Sequence, residues 1–147
     1  MNRKLTPTEA FYAMTLFLDI FYLETHSDDV GLLLSEMQVL KDGDTADPAA
    51  WYNWEKFCNQ VLKEEQATDK ELTPLQAFKV MRYFLDKFRD ETNSEDVQMI
   101  LNTLLPMEHN KPTCADVWKD WEKCISQAFH EQCSSLCGCL EESKERR

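Results

Sequence analysis

Glycine, proline and long apolar runs are scarce in this sequence of 147 residues. Three Gly and five Pro are too few for the many tight turns of a many-stranded β protein. The most apolar run, residues 11–23, is interrupted by Asp19 and is too short to span a bilayer. No apolar signal-peptide core follows the basic residues near the N-terminus. We therefore expect a cytoplasmic protein without a membrane partner.

Basic residues are also in deficit. The chain has 16 Lys and Arg against 27 Asp and Glu, which gives a formal net charge of −11. Binding to nucleic acid or to an anionic membrane requires a basic surface, so neither is expected. An acidic surface favours a basic protein partner instead.

The motifs of catalysis and cofactor binding are missing. The sequence has no Gly-rich phosphate loop, no GxSxG and no HExxH, and its three His are scattered. Asp28 and Asp29 follow Ser27, so the pair is interpreted as part of a helix cap and not as a general acid and base. We expect a protein that is not an enzyme, with no catalytic residue and no cofactor.

The C-terminal region contains the one group of residues with metal-like spacing, His130, Cys133, Cys137 and Cys139. Thiolate and imidazole groups suit zinc, which leaves a metal or redox protein as one alternative. No second pair of ligands follows at a zinc-finger distance, and cysteine is often simply a small buried residue. We therefore assign no metal site, and we expect the six cysteines to be free thiols in a reducing cytosol.

An internal repeat is the clearest feature. A shift of 67 residues aligns residues 5–62 with 72–129 without a gap, and 21 of the 58 aligned pairs are identical. Each copy has a Thr-Pro-x-Glu/Gln capping box, a serine followed by two carboxylates, and apolar residues at helical spacing. The predicted fold is all-α, with six helices as two tandem three-helix repeats and an acidic surface. The predicted boundaries are residues 1–67 and residues 68–147, the latter with a Cys-rich tail, unless both repeats pack as one globular unit.

The negative charge is distributed unevenly between the copies. Residues 1–67 contain 5 basic and 12 acidic side chains, a net of −7, whereas residues 68–147 contain 11 and 15, a net of −4. The acidic residues concentrate between the second and third helices of the first copy. Each third helix contains a pair of tryptophans, which we expect to pack in the core. The tryptophan nearest the helix start is the exception, because it can anchor a partner. The predicted partner-binding residues are Asp28, Asp29, Asp42, Asp44, Asp47 and Trp51.

The first copy, LTPTEAFYAMTLFLDIFYLETHSDDVGLLLSEM followed by DGDTADPAAWYNWEKF, resembles small immunity proteins of bacterial contact-dependent growth inhibition systems. The resemblance covers about residues 5–62 and extends to 72–129 as a more divergent copy. It implies a protein that binds and neutralises the toxin domain of a cognate effector, often a nuclease with a basic cleft. A helical adaptor or regulatory protein with another basic partner is the alternative. A neighbouring gene for a large secreted effector would favour the interpretation as an immunity protein.

Overall fold

The computed structural model describes residues 4–41, 44–104, 107–108, 111–112 and 115–137, and within them the chain is helical apart from one short strand pair. Two-residue strands between α5 and α6, β1 (Met107–Glu108) and β2 (Lys111–Pro112), pair antiparallel. Over these ranges the predicted all-α class with six helices is confirmed. No helix in the described ranges has the length and apolar character needed to cross a membrane. The helices are α1 (Pro7–Thr25), α2 (Asp28–Met37), α3 (Pro48–Glu64), α4 (Pro74–Thr92), α5 (Glu95–Leu104) and α6 (Ala115–Cys137).

The helix starts follow the capping signals of the sequence. Both capping boxes form, because Thr6 and Thr73 accept hydrogen bonds from the backbone N–H of Glu9 and Gln76, whose side chains accept in return. Asp47 caps α3 directly before Pro48. These caps satisfy backbone donors that have no partner within a helix, and the starts of α1 and α4 that the capping boxes predict are confirmed.

The two halves of the chain, residues 1–67 and 68–147, interleave around one core. Helix α1 packs mainly on α6, and α3 packs mainly on α4, so each half covers the other. The buried apolar side chains of all six helices form a single cluster. The boundary between two repeats at residue 67 remains a prediction from the sequence. Hydrophobic contacts in the core join residues on both sides of this boundary.

Several contacts recur 67 residues apart, and we call residues with this separation equivalent. The fully buried indoles of Trp54 and Trp121 each donate a hydrogen bond of 3.0 Å, to the carbonyls of Pro7 and Pro74. Each indole therefore ties the third helix of its half to the start of the first. The prediction of core packing is confirmed for this member of each tryptophan pair.

Other contacts cross directly from one half to the other, and each is made in both directions. Leu5 and Leu72 exchange two backbone hydrogen bonds of 2.7 Å. The Ser27 hydroxyl donates to Asp96 and the Ser94 hydroxyl donates to Asp29, both at 2.6 Å. Each serine also caps its own helix by accepting from a backbone N–H three residues on. The exchange couples the start of α2 to the start of α5.

The two cysteines with described side chains, Cys58 and Cys124, are buried free thiols, as predicted. Burial raises the pKa of each thiol to about 12, so neither is a nucleophile at neutral pH. Among the described residues, no group of His, Cys, Asp and Glu is arranged to hold a metal ion. The side chains of His130, Cys133, Cys137 and Cys139 lie outside the described part.

Candidate functional site

A cleft of about 760 Å³ lies in the first half of the chain. It lies between α1, α2, the segment after α2 and the first turns of α3. Its walls are mostly apolar and aromatic, with several hydroxyl groups, and Asp19 is the charged residue among them. This size and composition are typical of sites that take a small molecule or a partner's side chains. The lining residues are Thr8, Phe11, Tyr12, Thr15, Asp19, Tyr22, Gly31, Leu34, Ser35, Met37, Gln38, Val39, Thr45 and Trp51.

One wall of the cleft depends on a glycine inside α2. A Cβ atom at Gly31 would lie 2.9 Å from Cε1 of Tyr22, so the tyrosine ring rests against the bare helix backbone. Glycine within a helix costs about 1 kcal/mol relative to alanine. The second half has Gln98 at the equivalent position, a good helix former. Helix α2 therefore has a lower intrinsic helix propensity than α5 at the position where the Tyr22 ring packs beside the cleft.

The opposite wall is formed where α3 begins. The half-buried Trp51 packs edge-on against Phe11, with ring centroids 5.4 Å apart. Its backbone N–H donates to the hydroxyl of Thr45, which itself donates to the Asp47 carbonyl at 2.6 Å. Thr45 is buried and fixes the loop to the helix start, so the Trp51 ring is held at the edge of the cleft.

A second, smaller recess of about 260 Å³ lies on the other side of the α3 start. It brings Glu36, Asp47 and Glu91 together, and Lys87 beside them is paired with Glu91 at 2.6 Å. Partial burial, then the charges of Asp47 and Glu91, raise the pKa of Glu36. A raised carboxyl pKa with like-charged neighbours marks a region of negative potential. A cation from a partner would be stabilised there.

Five of the six predicted partner-binding residues are described, and they fall in two places. Asp44, Asp47 and Trp51 flank the start of α3, where Asp47 lines the recess and Trp51 lines the cleft. Asp28 is exposed and Asp29 is bonded to Ser94 at the start of α2, so neither lines the cleft or the recess. Asp42 lies outside the described residues.

The cleft residues of α1 were not predicted as a site. Tyr12, Thr15, Asp19 and Tyr22 form one stripe along the helix, at spacings of three, four and three residues. A signal for them existed in the comparison of the halves. At the equivalent positions α4 has Lys79, Arg82, Asp86 and Arg89, so this surface stripe changes its chemistry while the core stripe beside it is kept.

In the second half this stripe is used for internal pairs. Arg89 contacts Asp86 at 3.3 Å and donates to Gln98 at 2.7 Å. Lys79 pairs with Glu65. Burial alone would raise the pKa of Glu65, but hydrogen bonds from Lys79 and Gln76 outweigh it, so the pKa is lowered. In the first half, by contrast, no basic side chain of the described residues lies within ion-pair distance of Asp19.

Comparisons of the chain with protein-family models, with curated proteins and with solved structures gave no match.

Proposed function

We propose that this protein binds a basic domain of another protein through the surface around the start of α3, and that the partner is a toxin domain which it neutralises. The observation that carries the proposal is the placement of Trp51 and Asp47 on one helical turn, between an aromatic cleft and an acidic recess. A partly buried aromatic anchor beside carboxylates is a common arrangement in interfaces with basic proteins.

The charge of the chain supports the same mechanism. The net charge of −11 gives long-range attraction to a basic active site, and such steering increases association rates. Carboxylates on a rigid helix start can take the place of nucleic-acid phosphates in a nuclease cleft. The resemblance of the first copy to immunity proteins of contact-dependent growth inhibition systems points to this class of partner.

We also infer that the halves descend from the duplication of one three-helix unit. The capping boxes, the indole–carbonyl bonds and the exchanged serine–aspartate bonds all recur at the same separation of 67 residues, which supports this origin. In this view one copy keeps the cleft for the partner, and the other has converted the same stripe into structural ion pairs.

The direct test is calorimetric titration of the protein with the C-terminal domain of a large secreted effector encoded next to its gene. Wild-type protein should bind, and higher salt should weaken binding because charge attraction is screened. The double variant Asp44→Asn/Asp47→Asn should weaken binding about tenfold through loss of two interface charges. Asparagine can still accept the hydrogen bonds that Asp44 accepts from the Thr45 N–H and that Asp47, the cap of α3, accepts from the Ala49 N–H, so α3 should start at the same residue.

The matched control removes the same two charges from α6, in Asp116→Asn/Asp120→Asn, and should leave affinity within about twofold. Equal losses of affinity in both double variants would mean that binding depends only on net charge. The α3 start would then be excluded as the binding site. Absence of binding by wild-type protein would exclude this partner and would favour an adaptor with a different basic partner.

A further inference from the structure

We propose that the cleft of the first half receives an arginine side chain from the partner, with its guanidinium group on Asp19 and an adjacent apolar side chain between Tyr22 and Trp51. This inference rests on the proposed function for the identity of the partner protein. The chemistry of the ligand comes from the second half of the chain, where the equivalent carboxylate already has an arginine.

The internal example is Arg89 of α4. Its guanidinium group lies 3.3 Å from Asp86, 2.9 Å from Asp90 and 2.7 Å from the Gln98 side chain. In the first half Asp19 stands at the position of Asp86, and Leu23, Tyr22 and Gly31 stand at those of Asp90, Arg89 and Gln98. The carboxylate of Asp86 is therefore retained, while the arginine and its other two partners are replaced.

The replacement leaves Asp19 as an exposed carboxylate at the edge of a mostly apolar cleft. A guanidinium group suits this position because it forms directed bonds with a carboxylate and stacks on aromatic rings. Tyr22 supplies such a ring, and it is positioned by the absence of a side chain at Gly31.

The rest of the cleft requires an apolar group next to the arginine. Leu34, Met37, Val39 and the Trp51 ring form an apolar part of its lining, and Val39 is 58% exposed. Covering these surfaces releases water and stabilises a complex. The ligand class is therefore a protein segment with an arginine beside an apolar or aromatic residue.

A library of random 12-residue peptides displayed on phage tests the inference without the toxin. The library is selected on wild-type protein and depleted on Tyr22→Arg, a variant that supplies its own cation to Asp19 as Arg89 does to Asp86. The enriched peptides should contain an arginine next to an apolar residue. Peptides without a basic residue, or no peptide that distinguishes the two proteins, would overturn the inference.

The strongest peptide is then synthesised and titrated. Asp19→Asn should weaken its binding about tenfold, as expected for loss of a charge-assisted pair, and so should Arg→Gln in the peptide. The matched control Asp86→Asn, which removes the equivalent carboxylate of the second half, should leave the affinity unchanged. Asp19 is exposed, so thermal unfolding of Asp19→Asn should resemble that of wild-type protein. Equal affinity for Asp19→Asn and wild type would refute the proposed contact.

The effector domain separates this inference from the proposed function. If the domain binds wild-type protein and Tyr22→Arg equally well, the toxin partner stands and the arginine contact is wrong. If the domain does not bind while the peptides depend on Asp19, the contact stands and the toxin partner is wrong.

Discussion

The two halves of the chain share their core and differ along one stripe of side chains. Phe11 and Phe78 each pack on the two tryptophans of their own half. Tyr22 and Arg89 are also equivalent, yet Tyr22 lines a cleft whereas Arg89 is held in a network of polar contacts. The comparison separates what the fold needs from what a function can use. Contacts present in both halves maintain the helices, and the contacts that differ are candidates for recognition.

The largest expected effect concerns the shared core. Trp54→Ala and Trp121→Ala each remove a fully buried indole and its hydrogen bond to a proline carbonyl. Each should lower the free energy of unfolding by about 3–5 kcal/mol, and the two losses should be similar. Urea titrations followed by circular dichroism measure them. A large loss for one variant with almost none for the other would break the equivalence of the halves.

A smaller effect is expected where the halves meet. Ser27→Ala and Ser94→Ala each remove a helix cap and a hydrogen bond to a carboxylate of the other half. Each should cost about 1–2 kcal/mol, measured by the same unfolding titrations. A loss confined to one serine would mean that the exchanged bonds do not contribute equally.

The glycine of the cleft wall sharpens the difference between the halves. Gly31→Ala gains helix propensity but places a methyl group against the Tyr22 ring, so its net effect on stability should be small. In a Tyr22→Ala background the same change should stabilise the protein by about 1 kcal/mol. The double-mutant cycle is measured by chemical unfolding. Additive effects would show that the ring does not depend on the missing side chain.

The smallest effect should come from the acidic recess. The pKa of Glu36 is raised by burial and by the charges of Asp47 and Glu91, so its ionised form is disfavoured in the folded protein. The folded state therefore loses stability as the pH rises through the ordinary range of a glutamate pKa.

Glu36→Gln should accordingly stabilise the protein slightly at pH 7, and the gain should disappear near pH 3, where the carboxyl group is protonated in both folded and unfolded chains. Thermal unfolding at the two pH values measures this. The control Glu71→Gln, in an exposed loop, should not stabilise the protein at pH 7. A gain at pH 3 as large as that at pH 7 would contradict the electrostatic explanation.

Most of the fold could be predicted from the sequence because its signals are local. The Thr-Pro capping boxes and the spacing of residues such as Phe11, Met14 and Leu18 predict where α1 lies and which face it buries. The packing of α1 on α6 could not be predicted, since the third helices α3 and α6 have similar amphipathic character and offer α1 equivalent packing partners. The β1–β2 pairing was likewise not predicted, because two-residue strands leave no periodic pattern.

The candidate site could be predicted only in part. Trp51 and Asp47 stood out because they lie in the acidic segment at a helix start. Glu91 was missed, because it reaches the recess from the other half and only the packing of α3 on α4 brings it close. Asp29 looked available in the sequence, whereas its bond with Ser94 arises from a contact between residues 65 positions apart.

The central claim is that the first half, and not the second, binds the partner. Trp51→Ala and Trp118→Ala test it directly, since both remove a half-buried indole that packs on an equivalent phenylalanine. In calorimetric titrations with the effector's C-terminal domain, Trp51→Ala should weaken binding by about 2 kcal/mol, as is typical for an aromatic anchor, and Trp118→Ala should leave it within about twofold. Equal losses in the two variants, or a loss only with Trp118→Ala, would contradict the account.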